Sequence, residues 1–383
     1  MGSEMIAALA LSLLSVLPQA PAEDLIPAGR ENWERPWIPD FRDPTARIEI
    51  SPEKRLDVLI LGDGYLPEER PDFEEDVRRW YEDFLKLVPW GRFRGAFRVR
   101  GLWVPSAGRA TPDRRSHYRL PATALGVGEV DAPETRKALF EAIVKSGCNP
   151  ALDGRRLSHT TVVMLVRNEF GRNPSGMSRA VASPDGSRLV GTAFAAYTHH
   201  EFGHAFGGLR DEYIRTAGSR ADARPPERLT LHSLSNLSYT RELGRLPWAH
   251  LAPGTPLNPD ARSVIGVLWI GGIAEEGVWH SEARCLMNGS HENWDLSRTR
   301  RGVSLRDRTR FCFWCEEILV ARTCHRTGLL GDSPDGAALW KRWVEEFRPL
   351  YHRSFEVPER LRRQNEENAR LRLPEARIYE RPK

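Results

Sequence analysis

The sequence predicts an α/β fold, a twisted mixed sheet carrying helices, on three observations. Leu56-Asp-Val-Leu-Ile-Leu61 and Thr160-Thr-Val-Val-Met-Leu-Val166 are continuous apolar and β-branched runs of the kind a strand covered on both faces shows. Between and beyond them lie segments with helical spacing of apolar residues. The two kinds of segment alternate along the chain, the order that builds a helix-covered sheet.

Taken in order, residues 23–50 are rich in Pro, Trp, Asp and Arg and lack periodicity, so they read as a surface-wrapping arm. The strand Leu56–Leu61 stops at Gly62-Asp63-Gly64, where Asp63 reads as a turn or cap residue. A helix follows, with Pro67 in its first turn and Glu68-Glu69 favourable to its dipole. Its apolar face is Phe73, Val77, Trp80, Tyr81, Phe84 and Val88. Phe97 to Val104 alternates as a strand does. Asp131 as an N-cap, with Pro133 just inside, opens a helix through about Lys145. Ser178 to Val190 holds Ser183-Pro-Asp-Gly186, a turn between two short strands at a sheet edge. Thr192–Gly207 is apolar and Ala-rich, a helix broken at Gly207-Gly208. Residues 214–280 read as loop-rich with scattered Trp, Arg308–Arg322 as a further helix, and the chain from Ser333 as three large aromatics followed by a charged tail.

Composition bounds the function. With 383 residues, 40% hydrophobic and 12 Trp, the chain holds a sizeable core and is not disordered. A formal charge of +4 at this size carries no argument for a nucleic-acid partner. Six Arg lie between Arg298 and Arg310, but that stretch lacks interleaved stacking aromatics and reads as a solvated loop. At the N-terminus an apolar run, Met5–Leu17, precedes Pro18-Gln-Ala20-Pro-Ala22, whose small residues suit a signal-peptidase site. The run is short for a membrane span. The expected organisation is a signal peptide at 1–22, an arm at 23–50, a catalytic domain at 51–330 and a charged C-terminal extension at 331–383. The expected location is secreted or periplasmic, without stable membrane insertion once the signal is removed.

The chemistry concentrates at His200-Glu201-Phe202-Gly203-His204. Histidines four apart on a helix differ by about 40° around the axis and about 6 Å along it, so both imidazoles reach one Zn²⁺ from the same side. Glu201 is turned away from direct ligation but reaches an attacking water as its base. Gly207-Gly208 ends the helix where a left-handed bend can turn the chain back. Leu209-Arg-Asp211-Glu212-Tyr213 then brings two carboxylates towards the same metal. Two His plus one carboxylate leave the open position a catalytic zinc requires. His199 points about 100° away from His200 and reads as packing or support, not as a ligand. Far downstream, Cys285-Leu-Met287-Asn288 reads as a methionine turn beneath such a site.

These residues resemble the IgA-peptidase family of secreted, metzincin-like zinc metallopeptidases. The resemblance rests on Leu59-Ile-Leu-Gly-Asp-Gly-Tyr65, on Val162–Val166 with Asn168 and Phe170-Gly171, and above all on the run from His200 to Tyr213. Gly277-Val-Trp279, Cys285-Leu-Met287 and Phe311-Cys-Phe-Trp-Cys315 extend it. It implies a metzincin-like zincin catalytic domain with an HExxH active-site helix and a Met-turn, Zn²⁺ as cofactor, and hydrolysis of peptide bonds in a protein or peptide substrate. Carried over, His200 and His204 are zinc ligands and Glu201 is the general base. The spacing HExxHxxGxxH would put the third ligand at Arg210, which stays protonated and cannot bind zinc. Asp211 is therefore taken as the third ligand in preference to Glu212.

Five cysteines remain: Cys148, Cys285, Cys312, Cys315 and Cys324. Cys312-Phe-Trp-Cys315 reads as a redox pair, half a metal site or one partner of a structural disulfide to Cys285, and the disulfide is the favoured expectation. His280 and His291 flank Met287 and are minor candidates for stabilising an oxyanion. The competing function is a catalytically silent, metal-stabilised binding domain for an envelope or host glycoprotein.

Overall fold

The computed structural model describes residues 24–28, 37–40, 43, 46–108, 142, 145–148, 160–166, 179–182, 188–192, 195–221, 226, 228–288, 310–370 and 379–380. They form two compact units. The first holds the described residues up to Phe206, except the Pro39–Arg47 stretch, which groups with the second unit from Gly207 onward. Several expectations lie outside the described residues: the signal segment, Asp131 and Pro133, Asn168, Phe170-Gly171, the Ser183–Gly186 turn, His291, and the arginine-rich stretch up to residue 309.

The first unit is built on a mixed six-stranded sheet of β1 (Leu25–Ala28), β2 (Leu56–Asp63), β3 (Phe97–Leu102), β4 (Thr160–Val166), β5 (Arg179–Ala182) and β6 (Arg188–Thr192). Its order is β1-β3-β2-β4-β6-β5. The inner pairs β3–β2, β2–β4 and β4–β6 are parallel, while β1 and β5 run antiparallel at the two edges. Leu56 to Leu61 are buried at every position, as a parallel strand covered on both faces requires. Buried Asp57 is held by Arg98, whose Nε and Nη2 donate at 2.8 and 2.7 Å. The two expected short edge strands are present as the antiparallel pair β5 and β6, with β5 outermost.

Helix α1 (Arg70–Lys86) follows a 3₁₀ turn at Pro67–Glu69, and the Glu69 carboxylate accepts from the Leu66 amide at 2.9 Å. Phe73, Val77, Trp80, Tyr81 and Phe84 form its buried face, as the spacing predicts. Val88 is not on it. Leu87 is extended, and Val88 begins the short helix α2 (Val88–Arg92), because Pro89 has no amide to continue the α1 ladder. The candidate helix α3 (Ala195–Gly207) starts directly after β6.

The second unit bears out the loop-rich reading of 214–280 in its middle and corrects it at both ends, which are strands. Strand β9 (Leu268–His280) pairs antiparallel with β8 (Leu237–Ser238) and β10 (Tyr379–Glu380), and parallel with β7 (Ile214–Arg220). The strand was hidden because Gly271 and Gly272 have φ of +117° and +154°, and the register with β7 shifts twice. Such irregularity erases the period-two signal.

Helix α4 (Phe313–Arg326) starts later than expected, since Cys312 is its N-cap and its sulfur accepts from the Cys315 amide. Helices α5 (Gly336–Arg342), α6 (Arg348–Ser354) and α7 (Val357–Arg370) follow, with a π turn at Trp343–Phe347 between the first two. The segment after residue 330 thus contributes buried Leu339, Trp343, Tyr351, Phe355, Val357 and Leu361. Two buried acids of α4 tie these helices down. Glu316 accepts from the Tyr351 hydroxyl at 2.9 Å and from Arg360 at 2.5 Å. Glu317 accepts from Trp343 Nε1 at 3.0 Å and Arg348 Nε at 2.6 Å. Among the described residues, no helix is long and apolar enough to cross a membrane.

Candidate metal centre

The HExxH residues lie on α3, and the helix is oriented by its aromatic side. Phe202 and Phe206 stack on one another with ring centres 5.4 Å apart. Phe202 meets Trp80 at 5.8 Å, Phe84 at 5.4 Å and Trp90 at 4.9 Å, and Phe206 meets Phe97 at 5.7 Å. His199 belongs to the same face, its ring 5.1 Å from that of Trp80. Both its nitrogens are buried without a hydrogen-bond partner, and burial pushes its pKa down to about 4. It packs as a neutral ring, as its 100° offset from His200 predicts. Burying two phenylalanines against this wall contributes roughly 1.5–3 kcal/mol each, enough to fix which side of the helix faces away.

On that other side stand His200 and His204. Their Nε2 atoms are 3.0 Å apart and their rings meet edge-on. Glu201 joins them, with possible ligand atoms of all three lying within 4.8 Å of one another. Two nitrogens bound to one tetrahedral zinc at 2.0–2.1 Å would be about 3.3 Å apart. The observed 3.0 Å is a hydrogen-bond distance between the two rings and lies within a few tenths of an ångström of that value. His200 and Glu201 are 1% and 5% exposed, and His204 is half-buried, so the pair has one open flank.

Helix α3 closes at Gly207, and Gly208 takes φ +58°, the left-handed bend expected after it. A side chain there would also strike the Arg322 guanidinium. Downstream, in the second unit, Asn236 clamps the chain in a way the sequence reading missed. Its Oδ1 accepts from the Arg210 amide at 2.7 Å, and its Nδ2 donates to the Arg210 carbonyl at 2.8 Å and to Glu212 Oε1 at 2.9 Å. A lone Asn inside an irregular segment gives no spacing signal.

The ligand atoms that gather around the His pair are those of His200, Glu201 and His204, and neither Asp211 nor Glu212 is among them. Asp211 is buried at 6% exposure. Glu212 turns into the core of the second unit, where Cys315 Sγ donates to its Oε1 at 3.1 Å and its amide donates to the Met287 carbonyl at 3.1 Å. Met287 is fully buried in the 3₁₀ turn Leu286–Asn288. The expected disulfide from Cys285 to the CxxC pair is absent: all five cysteines are free and buried. Their geometry instead gathers three thiols around one carboxylate, so no single pair is singled out for oxidation. His280 is buried too, its Nδ1 donating to the Gly271 carbonyl at 2.9 Å, which makes it a packed core imidazole.

No curated protein matches the chain significantly. The family model described as IgA Peptidase M64 matches residues 48–259, which is more than half of the sequence and includes α3 and the segment through Asn236. With the HExxH pair side by side on α3 and that match spanning it, the chain belongs to the IgA Peptidase M64 family of metallopeptidases.

Proposed function

We propose that this peptidase is an exported zinc-dependent endopeptidase in which His200, His204 and Asp211 hold the metal and Glu201 is the general base. The observation that carries the reading is the 3.0 Å approach of the two Nε2 atoms beside Glu201. The engagement of Glu212 by Asn236 and Cys315 supports Asp211 as the third ligand. Export rests on the apolar run and small-residue site before residue 23.

Bound zinc supplies Lewis-acid polarisation of the scissile carbonyl and an acidified water. The chain's own residues do the rest. The aromatic face of α3 holds both imidazoles in place, so little reorganisation is needed at the moment of reaction. Glu201 takes the proton of the attacking water and passes it to the leaving amine, which departs neutral. An extended substrate can add to the outermost strand β5 by main-chain hydrogen bonds. Protection of residues 179–182 from hydrogen exchange by a bound peptide inhibitor is the expected result, and no protection removes that element of the reading.

The decisive experiment compares casein cleavage and zinc content in the wild type and Glu201→Gln. The wild type should cleave, and the variant should keep its zinc while losing at least about 100-fold in rate, the low end for a general base. Zinc retained with no cleavage by either protein would leave a binding domain in place of an enzyme.

A further inference from the structure

A second cluster of metal-binding side chains lies entirely within the second unit, and the peptidase reading does not use it. Cys285, Cys312, Cys315 and Glu212 offer three sulfurs and a carboxylate oxygen, all within 4.8 Å of one another. All three cysteines are 0% exposed and Glu212 is 1% exposed. We propose that these four residues form a structural Zn²⁺ site of three thiolates and one carboxylate, separate from the HExxH pair.

Three features of the cluster point to a cation. Sulfurs bound to a tetrahedral zinc at 2.3 Å stand about 3.8 Å apart, and the observed spacing admits that arrangement with small shifts. The backbone is set for thiolates. Cys285 Sγ accepts from the Met287 amide at 3.4 Å and from the Cys312 amide at 3.2 Å, and Cys312 Sγ accepts from the Cys315 amide at 3.4 Å. Amide donors aimed at sulfur stabilise its charged form, as outer hydrogen bonds do around metal-bound ligands. Cys312 and Cys315 also sit at the N-terminus of the 14-residue helix α4, where the dipole favours negative charge.

The third feature is an orphaned atom. Glu212 Oε1 is shared by Asn236, Cys315 and Cys312, while Oε2 is buried with no hydrogen-bond partner. A fully buried carboxylate oxygen left unpaired is costly, and buried charges are normally paired or bound to metals. Every neighbouring sulfur is also an acceptor once deprotonated, so a cation is what satisfies the group as a whole. One disulfide would consume two sulfurs and leave the third thiol and this oxygen stranded.

The site would join three separate parts of the second unit: the segment after α3, the Met287 turn and the start of α4. Only Glu212 falls within the residues the family model matches. Its position beside Asp211 makes this metal a brace for the loop that carries the proposed third ligand of the catalytic site.

The test uses the full chain carrying His200→Ala and His204→Ala, which removes the HExxH ligands and leaves the cluster intact. Loaded with Co²⁺, this variant should show an intense near-ultraviolet thiolate-to-cobalt charge-transfer band and bind one zinc per chain against two in the wild type. Adding Cys312→Ser should abolish the band, and Glu212→Gln, which preserves volume, should weaken zinc retention at least 10-fold. Thiol titration in denaturant should find all five cysteines reactive. Absence of the band in the His double variant, or a loss of two titratable thiols to a disulfide, would overturn the proposal. Neither result bears on whether Glu201 and the His pair are catalytic.

Discussion

His200 and His204 bring their Nε2 atoms to 3.0 Å from each other, although they sit a full helical turn apart. Without a shared proton or cation, two neutral imidazole lone pairs would repel there. Zinc should therefore stabilise the first unit by mass action, by roughly 2.7 kcal/mol at a hundredfold excess over Kd. A His204→Ala variant should lose that contribution and keep only the response of the thiol cluster. Thermal unfolding of the wild type and the variant across a zinc titration reads it directly, and an equal rise in midpoint for both would refute shared ligation.

The orientation of those imidazoles comes from the far side of the helix. Phe202 is fully buried among Trp80, Phe84 and Trp90. Phe202→Ala should cost about 3–5 kcal/mol, the usual range for deleting a buried aromatic side chain. Phe202→Leu should cost less and retain zinc. Denaturant titrations with zinc analysis check both, and an alanine variant of unchanged stability would show that the wall does not hold α3.

His199 sits in that wall with neither ring nitrogen hydrogen-bonded. Replacing it by Phe removes the unsatisfied polar atoms and keeps a planar ring. A gain of about 1 kcal/mol is expected, the scale of a lost desolvation penalty less some overpacking. A clear loss of stability on denaturation would mean that the imidazole makes a favourable contact with the Trp80 face.

Much of this architecture was readable because its signals are local. Leu56–Leu61 and Thr160–Val166 announce interior strands through composition alone, and the aromatic spacing from Phe73 to Phe84 declares which side of α1 is buried. The juxtaposition of His200 and His204 follows from helical arithmetic. What escaped was non-local. Strand β9 is interrupted by Gly271 and Gly272, so only its partners β7, β8 and β10 reveal it. The thiol cluster draws on positions 212, 285, 312 and 315, and no spacing rule links Glu212 to cysteines some seventy and a hundred residues later. Cys312-Phe-Trp-Cys315 was a visible clue, but two thiols and one distant cysteine fit a disulfide as well as a metal until the carboxylate is seen among them. The charge run around Arg362 likewise hid the contribution of Leu361, which is 1% exposed on the inner face of α7.

Glu317 makes a prediction about the second unit. Burial alone would raise its pKa, but Arg348 and His250 outweigh burial and hold the carboxyl well below the usual range. His250 Nε2 lies 2.7 Å from it and Arg348 Nε 2.6 Å. Arg348→Met leaves a buried acid without its main counter-charge and should cost about 3–5 kcal/mol. Pairing it with Glu317→Gln should recover most of that loss, since the uncompensated charge is gone. A double variant no more stable than Arg348→Met alone would place the cost in packing.

Acid should weaken the second unit through His280. Burial pushes this imidazole down to about 4 against an ordinary value of 6.5, while its Nδ1–H is held by the Gly271 carbonyl at 2.9 Å. The unfolded chain therefore binds the proton first as pH falls. Stability from this residue is complete above about 6.5. It declines as pH drops and is lost by about 4, for a total of about 3 kcal/mol at 1.36 kcal/mol per pH unit. His280→Asn can keep the donor to Gly271 and cannot titrate, so its stability should be flatter over that interval. Urea unfolding at pH 7, 5.5 and 4.5 makes the comparison, and parallel slopes in wild type and variant would assign the acid sensitivity to other groups.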